Sequence, residues 1–344
     1  MDGIEIFNTI KNRSLPYFIF EIGGNFRNFG GAKTLIDLAK RCGADAVKLQ
    51  HFSADTITSR KAIFEMENTG TISQHEHFKK YELDEAITRD IFDYAREIDL
   101  TIFSTPSHYS DIDLLEKFNN KIYKIGSDDA TNLPFIEYAA KTQKPIIIST
   151  GMCTLTEVQR AADTVLETGN GQLVLLHCTT QYPTHLDQVN LYAMQTMMNF
   201  FERIPIGYSD HTIGTDACMA AAVMGARVLE FHFTNDKAAE GPDHLLSKDP
   251  VESERLVTYT RNLQVMLGDG VKRPMPGEQN TRKNNRKSIV LIGDIRQGEK
   301  ISCHNIAIKR PGYGIPAEHF YTILGKTASR DLVSDEVLSW DDIC

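Results

Sequence analysis

The sequence predicts an α/β protein: a (β/α)8 TIM barrel followed by a small β-rich domain. Three observations support this fold class. Eight short apolar segments recur along the chain, helical segments separate several of them, and polar residues follow where the apolar segments end. Short apolar segments rich in branched residues are typical of parallel strands that are buried on both faces. A doubly wound open sheet is the alternative arrangement of such elements.

The eight predicted strands begin with YFIFEIG and end with RVLEFHF. The segments between several of them are amphipathic, since Ile87, Ile91 and Ala95 recur at the spacing of one helix face. Thr154 and Glu157 form a capping-box pattern at the start of another helix. The strands are predicted at residues 17–23, 45–50, 100–105, 121–127, 145–150, 172–178, 204–209 and 227–233.

The pattern of apolar and polar residues changes at two places along the chain. Residues 51–99 form an unusually long and partly polar connection, which predicts an elaborated loop after the second strand. Residues 269–286 are rich in Gly, Pro and charge, which is typical of a linker, and residues 287–344 return to short strands and turns. We therefore expect the barrel in residues 1–268, a linker in 269–286 and a second domain in 287–344.

Composition excludes several classes of protein. Hydrophobic residues make up 41% of the chain and charged residues 24%, and no apolar run approaches the ~18 residues of a membrane span. The N-terminal residues lack the apolar stretch of a secretion signal, and the six cysteines show no CxxC spacing, so we expect a cytoplasmic protein with reduced thiols. The net charge of −9 argues against general nucleic-acid binding, but it allows a local anion site.

Polar side chains recur at the ends of the predicted strands. In a barrel these ends, with the loops that follow them, form the active site. A single lysine or serine in such a place often has only a structural role, but their alignment on successive strands predicts a site. The side chains in question are Glu21, Lys48, Gln50, Thr105, Lys124, Ser127, Ser149, Thr180, Tyr182, Ser209 and Glu230.

Two of these strands also carry histidines. His211 follows the seventh predicted strand and His232 ends the eighth, so one helix and one strand separate them. Neighbouring strands of a barrel bring such residues to the same rim. Two imidazoles and a nearby carboxylate can hold a divalent metal and leave positions open, and Asp243 could supply or orient that carboxylate.

Lys48 and Lys124, together with the Ser and Thr hydroxyls, predict an anion site on the opposite wall. Phosphate or carboxylate suits these donors. An anion site that faces a metal site implies two substrates, of which one is phosphorylated or acidic.

The motifs themselves resemble a known family. In order along the chain they are EIGGNF, VKLQ, STP, YKIGS, STGM, LLHCTTQYPT, SDHTIG, FHFT and GPDHLLS. This series resembles the N-acetylneuraminate (sialic acid) synthase family, which includes legionaminic and pseudaminic acid synthases. The later motifs KRPGYGI and ILGKTASRD resemble that family's antifreeze-like SAF domain. The resemblance covers essentially the whole chain.

The resemblance implies a transferase that forms a C–C bond. Such an enzyme condenses phosphoenolpyruvate with an N-acetylated hexose aldehyde, either N-acetylmannosamine or a 2,4-diacetamido-trideoxyhexose, and releases phosphate. It also implies a divalent metal, Mn²⁺ or Mg²⁺, and a domain-swapped homodimer, with no nucleic-acid or membrane partner.

The resemblance also implies roles for individual residues. His211 and His232 would bind the metal, and Glu21 and Asp243 would act in catalysis beside the metal and the sugar. The remaining roles fall into two groups. Phosphoenolpyruvate would be held by Lys48, Thr105, Lys124, Ser127, Ser149 and Ser209. The sugar would be held by Asn25, Asp129, Tyr182 and, from the partner's SAF domain, Arg310.

Four positions depart from the family's usual residues: Phe26, Asp129, Thr180 and Phe231. We expect the two phenylalanines to enlarge an apolar wall near the sugar, which would favour a deoxygenated, di-N-acylated acceptor. Two alternatives stay open. One is a phosphorylated aldose, for which Arg27 could contribute a cation, and the other is a catalytically silent binding subunit.

Overall fold

The computed structural model describes residues 1–66 and 70–344, which divide into two compact units, Met1–Gly268 and Asp269–Cys344. The strands of the first unit are β1 (Tyr17–Glu21), β2 (Ala46–His51), β3 (Ile63–Met66), β4 (Gly70–Ser73), β5 (Thr101–Pro106), β6 (Tyr123–Ile125), β7 (Ile146–Ser149), β8 (Leu173–Cys178), β9 (Ile206–Asp210) and β10 (Val228–His232). Its helices are α1 (Gly3–Asn12), α2 (Phe29–Cys42), α3 (Ala54–Ile57), α4 (Gln74–Lys79), α5 (Glu85–Glu97), α6 (Tyr109–Lys117), α7 (Leu133–Lys141), α8 (Leu155–Glu167), α9 (Leu191–Phe200), α10 (Asp216–Val223) and α11 (Pro250–Leu267).

Eight strands of the first unit close into a barrel. Their order is β1-β10-β9-β8-β7-β6-β5-β2, and every neighbouring pair is parallel. The pairing of β1 with both β10 and β2 removes the free edges of an open sheet. The predicted TIM barrel is therefore confirmed, and all eight predicted strands belong to it. The antiparallel pair β3 and β4 lies in the long connection after β2.

Side chains alternate between the inside and the outside of the barrel, as the pleat of a strand requires. At the end where the strands begin, the inward positions are apolar and form one cluster with Tyr17, Ile19 and Val228. Helix α1 adds Ile6, Phe7 and Ile10 to this cluster and so packs against that end. Sequence analysis missed this helix, although Asp2 and Glu5 form a complete capping box at its start.

The outward positions pack against the surrounding helices. Phe18 and Phe20 of β1 and Leu229 and Phe231 of β10 all belong to the large cluster between the barrel and its helices. Because apolar residues occupy the outward face and the lower interior, the inward positions at the strand ends are left to polar side chains. The fold therefore concentrates chemistry at one end of the barrel.

The second unit is small and β-rich, as predicted. Its regular elements are α12 (Gln279–Asn285), β11 (Ser288–Leu291), β12 (Ile306–Lys309) and α13 (Phe320–Ile323), with β11 and β12 antiparallel. It has its own core, which includes Ile289, Ile306 and Leu332. The segment interpreted as a linker contains α12. Short 3₁₀ helices lie at Leu186–Gln188 in the first unit and at Pro276–Glu278, Ala317–His319 and Trp340–Asp342 in the second. Across the described residues, every helix is too short or too polar to cross a bilayer.

Candidate active site

A cavity of about 510 Å³ lies where the barrel strands end. Most of the residues predicted for the site meet there, although they come from seven different strands or the loops that follow them. Because those loops are far apart in the sequence, the barrel alone brings them together. The predicted residues that line the cavity are Lys48, Gln50, Thr105, Lys124, Ser127, Ser149, Thr180, Tyr182, Ser209, His211, Glu230, His232 and Asp243.

Two buried lysines form one part of the cavity. Lys48 Nζ contacts the carboxylate of Glu21 and lies 3.0 Å from Thr105 Oγ1. Lys124 Nζ lies 3.4 Å from Glu230 Oε1. Burial lowers the pKa of Lys124, whereas Glu21 and Glu230 outweigh burial and raise the pKa of Lys48. Both ammonium groups are therefore held by carboxylates in a site that is shielded from water.

Hydroxyl groups surround these lysines. Ser127 Oγ accepts the Gly151 N–H at 3.0 Å, and Ser209 Oγ donates to Glu230 Oε1 at 3.0 Å. Gly151 has no room for a side chain, because a Cβ there would collide with Thr180 Oγ1 and lie 2.9 Å from Ser127 Oγ. The backbone N–H of Gly151 and the hydroxyls around it therefore pack as one polar cradle.

Several polar atoms of the cavity wall are buried without a hydrogen-bond partner among the described residues. They are Ser149 Oγ, Thr180 Oγ1, Glu230 Oε2 and His232 Nδ1. A buried polar group without a partner costs about 1–3 kcal/mol, and such groups in native proteins usually meet water, an ion or a ligand. Their clustering in one cavity indicates that the cavity binds a polar ligand.

The two histidines lie side by side on another part of the wall, with ring centroids 5.4 Å apart. His211 Nδ1 lies 3.0 Å from the Thr179 carbonyl, so Nδ1 donates that hydrogen bond and Nε2 is the ring nitrogen that remains for a ligand. Burial holds the pKa of His232 well below its ordinary value. His232 is therefore neutral at pH 7, as a metal ligand must be.

Carboxylates complete this wall. Asp243 Oδ2 lies 3.5 Å from His232 Nδ1, and burial raises the pKa of Asp243 to about 7. The carboxylates of Asp128, Glu230 and Asp243 line the same cavity, and Glu21 borders it through Lys48. Within the described ranges, no three His, Cys, Asp or Glu side chains converge on one point. The residues fit a divalent ion held by the two imidazoles, with ligands from elsewhere completing its shell.

Three predicted site residues lie outside the cavity lining within the first unit. Glu21 contacts the cavity through Lys48. Asn25 instead donates to the Phe233 carbonyl and to Ser247 Oγ, both at 2.9 Å, and so braces the segment that carries Asp243. Asp129 accepts from Asn132 Nδ2 at 2.9 Å, and its neighbour Asp128 lines the cavity in its place.

The expectation for the two phenylalanines is wrong. Phe26 and Phe231 are buried in the cluster between the barrel and its helices, and Phe231 packs against Phe20 at 4.6 Å. The pleat explains the position of Phe231, because Glu230 and His232 point into the barrel and residue 231 must then point out. Arg27 is also outside the cavity lining, and its guanidinium lies over the ring of Tyr81 and donates to the Tyr81 hydroxyl at 3.1 Å.

Arg310 belongs to the second unit, where its side chain is exposed. It precedes Pro311 and follows β12 directly.

An apolar wall does exist, but the long connection after β2 supplies it. Phe78 lies at its centre, with its ring 5.0 Å from Phe52 and 5.6 Å from Phe64. Ile57 and Ile72 also line the cavity. Sequence analysis predicted an elaborated loop here without assigning it to the site. The sequence does contain a signal for this wall, because the segment HFSADTITSRKAIF includes several apolar residues.

Sequence analysis left two other cavity residues without a role. Glu230 holds Lys124 and Ser209, and Cys178 Sγ lies 3.7 Å from His211 Nδ1. Glu230 belongs to the side chains predicted at the strand ends, whereas Cys178 does not, although the alternation of strand residues could have found it. Glu230 shares the inward face of β10 with His232, and Cys178 ends β8.

Comparison with known proteins agrees with this geometry. The NeuB family model matches residues 35–272 and the SAF domain model matches residues 286–343. The chain is 40% identical to an N,N'-diacetyllegionaminic acid synthase from Legionella pneumophila, over 98% of each chain. It is also 40% identical to the enzyme of that name from Campylobacter jejuni, over 89% of this chain and 93% of the relative.

Among solved structures, the chain is similar to the N-acetylneuraminic acid (sialic acid) synthetase of Leptospira borgpetersenii in complex with citrate. The TM-score is 0.69 at 28% identity, over 78% of this chain and 90% of that one. Two relatives that cover most or all of the chain are thus named as synthases of an acidic amino sugar, N,N'-diacetyllegionaminic acid. With its closed barrel, its SAF domain and these relatives, the chain belongs to the NeuB family.

Proposed function

We propose that this protein condenses phosphoenolpyruvate with an N-acylated amino-sugar aldehyde and releases phosphate. The product would be a nine-carbon 2-keto-3-deoxy acid. One observation carries the proposal: a single cavity joins two buried lysines and unpaired hydroxyls to a pair of neighbouring histidines. An anion and an aldehyde could therefore meet within it. The names of the relatives support the same class of reaction.

The lysines and hydroxyls would bind phosphoenolpyruvate. Lys48 and Lys124 would pair with its phosphate and carboxylate, and their buried position strengthens such charge-assisted hydrogen bonds. The unpaired hydroxyls of Ser149 and Thr180 would gain the partners they lack. Ser127, Thr105 and Ser209 lie beside them and would complete the cradle.

His211 and His232 would hold the divalent ion, Mn²⁺ or Mg²⁺, which when bound acts as a Lewis acid toward the sugar aldehyde. The chain's own groups would orient the reactants. The polar cradle would aim C3 of phosphoenolpyruvate at the aldehyde carbon, where the new C–C bond forms. Water then adds at C2, and the C2–O bond to phosphate breaks. Asp243, with its pKa raised to about 7 by burial, could exchange a proton with that water or with the sugar.

The acceptor that best suits the cavity is a 2,4-diacetamido-trideoxyhexose. Deoxygenated carbons and acetyl methyl groups suit the apolar wall of Phe52, Phe64 and Phe78, whereas the hydroxyls of a fully oxygenated sugar would lose hydrogen bonds there. The two relatives named for a diacetylated product support this choice. A phosphorylated aldose is less well supported, because Arg27 is held by Tyr81.

We further propose that Arg310 of a second copy of the chain binds the acyl group of the sugar. Its exposed guanidinium is available to such a ligand. Arg310→Ala should raise KM for the acceptor by tenfold or more, by analogy with a lost charged hydrogen bond of about 1.5–3 kcal/mol, and should leave KM for phosphoenolpyruvate unchanged. Equal rises in both constants would contradict the role, and sedimentation of the native chain as a monomer would contradict the second copy.

The reaction is tested by phosphate release from phosphoenolpyruvate in the presence of Mn²⁺. The acceptors are N-acetylmannosamine, its 6-phosphate and 2,4-diacetamido-trideoxyhexoses. We expect release with a diacetamido sugar, abolished by a chelator and restored by added metal. Preference for N-acetylmannosamine would overturn the acceptor alone. Failure of every acceptor to elicit phosphate would overturn the synthase proposal and favour a silent binding subunit.

A further inference from the structure

A third buried ion pair, between Lys248 and Asp210, lies beside the histidines but outside the cavity. Lys248 Nζ donates to Asp210 Oδ2 at 2.6 Å and to the Thr212 carbonyl at 2.8 Å. The two charged side chains are almost fully buried, at 1% and 0% exposure. Neither residue lines the cavity, and nothing in the proposed reaction uses them.

The backbone of Lys248 is attached to the other histidine strand. Its N–H donates to the His232 carbonyl at 2.7 Å, and its own carbonyl accepts the Thr234 N–H at 3.1 Å. These bonds continue the pairing beyond the end of β10, where Phe233 and Lys248 form a parallel bridge. Lys248 is therefore bonded to the backbone on both sides of Phe233.

The side chain of Lys248 reaches the neighbouring strand at the two residues that flank His211. Asp210 precedes His211 and Thr212 follows it, and the ammonium group binds both. One residue thus links the end of β10 through its backbone to the end of β9 through its side chain. His232 accepts the backbone hydrogen bond of Lys248, and His211 lies between the two residues that bind its side chain.

The carboxylate of Asp210 is saturated by other local donors. Tyr208 Oη and the Thr212 N–H donate to Oδ1 at 2.9 and 3.0 Å, and Thr212 Oγ1 and Cys218 Sγ donate to Oδ2 at 3.2 and 3.4 Å. This carboxylate therefore has no capacity left for substrate or metal. Because these donors hold its carboxylate in place, Asp210 gives the Lys248 ammonium group a fixed partner.

We propose that Lys248 is a positioning residue, which fixes the distance and orientation of His211 relative to His232 through its ion pair with Asp210. A buried ion pair contributes little net stability compared with apolar residues, and its best-attested role is to specify one geometry. Groups that orient metal ligands from outside typically change metal affinity by about 10–100-fold when they are lost. The inference rests on the proposed metal site.

The test is Mn²⁺ affinity, measured by isothermal titration calorimetry on the full chain with folding checked by circular dichroism. Lys248→Met should weaken Mn²⁺ binding by about tenfold or more. It should leave the affinity for phosphoenolpyruvate, titrated alone, nearly unchanged, because Lys48 and Lys124 are untouched. Lys248→Met also leaves the Asp210 carboxylate buried without a cation, which destabilises the folded chain. The double variant Asp210→Asn/Lys248→Met removes that charge and should show the same loss of Mn²⁺ affinity.

The chain offers a matched control. Arg13 pairs with Asp45 at 2.6 Å where the strands begin, and Asp45 also accepts the Phe18 N–H at 2.9 Å. Arg13→Met removes a cation of the same kind from the opposite end of the barrel. It should lower the melting temperature without changing Mn²⁺ affinity, which separates a loss of stability from a loss of positioning.

Two results would overturn the inference, and they are distinguishable. If either folded Lys248 variant binds Mn²⁺ within about twofold of the native chain, Lys248 does not position the histidines, although the metal site stands. If the native chain binds no Mn²⁺, or if His211→Ala binds it equally well, the metal site itself fails and the inference fails with it.

Discussion

The imidazole rings of His211 and His232 lie 5.4 Å apart, although helix α10 and strand β10 separate the two residues in the chain. The barrel makes them neighbours because β9 and β10 pair in parallel and end together. Both rings line the cavity, and His232 shares the inward face of β10 with Glu230. The hydrogen bond from His211 to the Thr179 carbonyl then leaves one nitrogen free to bind a ligand.

Replacement of His211 tests this arrangement. His211→Ala should nearly abolish phosphate release and should weaken Mn²⁺ binding, because the proposed ion would lose one of its two imidazoles. Phosphate release and calorimetric titration with Mn²⁺ measure the two effects separately. His304→Ala is the control, because it removes an exposed imidazole from the second unit. Normal turnover by His211→Ala would disprove the metal assignment.

Replacement of Lys124 tests the anion site. Lys124→Met should raise KM for phosphoenolpyruvate by about 100-fold, since the bond from a buried ammonium to an anion is worth roughly 1.5–3 kcal/mol. KM for the acceptor should change little. Lys144→Met is the control, because Lys144 pairs with Glu116 away from the cavity. A rise confined to the acceptor constant would reassign this wall to the sugar.

Replacement of Phe78 tests the apolar wall. Phe78→Ala removes the ring that contacts both Phe52 and Phe64, and it should raise KM for a diacetamido acceptor by about tenfold. Steady-state kinetics with both substrates should show KM for phosphoenolpyruvate unchanged. Phe200→Ala on the exposed side of α9 is the control. If the variant instead gains activity with diacetamido sugars, the wall excludes that acceptor rather than binding it.

Asp129 provides a test that depends on pH and not on catalysis. Burial raises the pKa of its carboxyl to about 6 from an ordinary 3.8. Below pH 3.8 the group is protonated in both the folded and the unfolded chain, so burial costs nothing. As the pH rises, the unfolded chain loses its proton first, and above about pH 6 the folded chain carries the full cost of a buried charge.

Asp129→Asn should therefore stabilise the protein above pH 6 by about 1 kcal/mol, a value reduced for the partial exposure of the site. The gain should vanish below pH 3.8. Chemical denaturation at pH 7.5 and at pH 3.5 measures it, with Asp163→Asn at an exposed position of α8 as the control. A gain of equal size at both pH values would show that charge is not the cause.

The local pattern of apolar and polar residues was enough to predict the barrel and much of its site. The rhythm of short apolar strands predicted the barrel, and the polar residues that end those strands predicted the composition of its cavity. Both signals are local, because the alternation of inward and outward side chains and the length of each connection can be recognised within a short stretch of sequence. Lys48, Lys124, His211 and His232 could be assigned to one rim for that reason.

Tertiary structure decided which of these residues touch. Lys124 of β6 meets Glu230 of β10 across the barrel, and Lys248 reaches Asp210 from beyond the end of the next strand. Such contacts depend on barrel closure and on how loops return to the rim, and no spacing in the sequence encodes them. Closure of the barrel brought the separate strand ends around one cavity. The path of the loop after β2 placed Phe78 in the wall of that cavity, whereas Phe26 and Phe231 lie outside it.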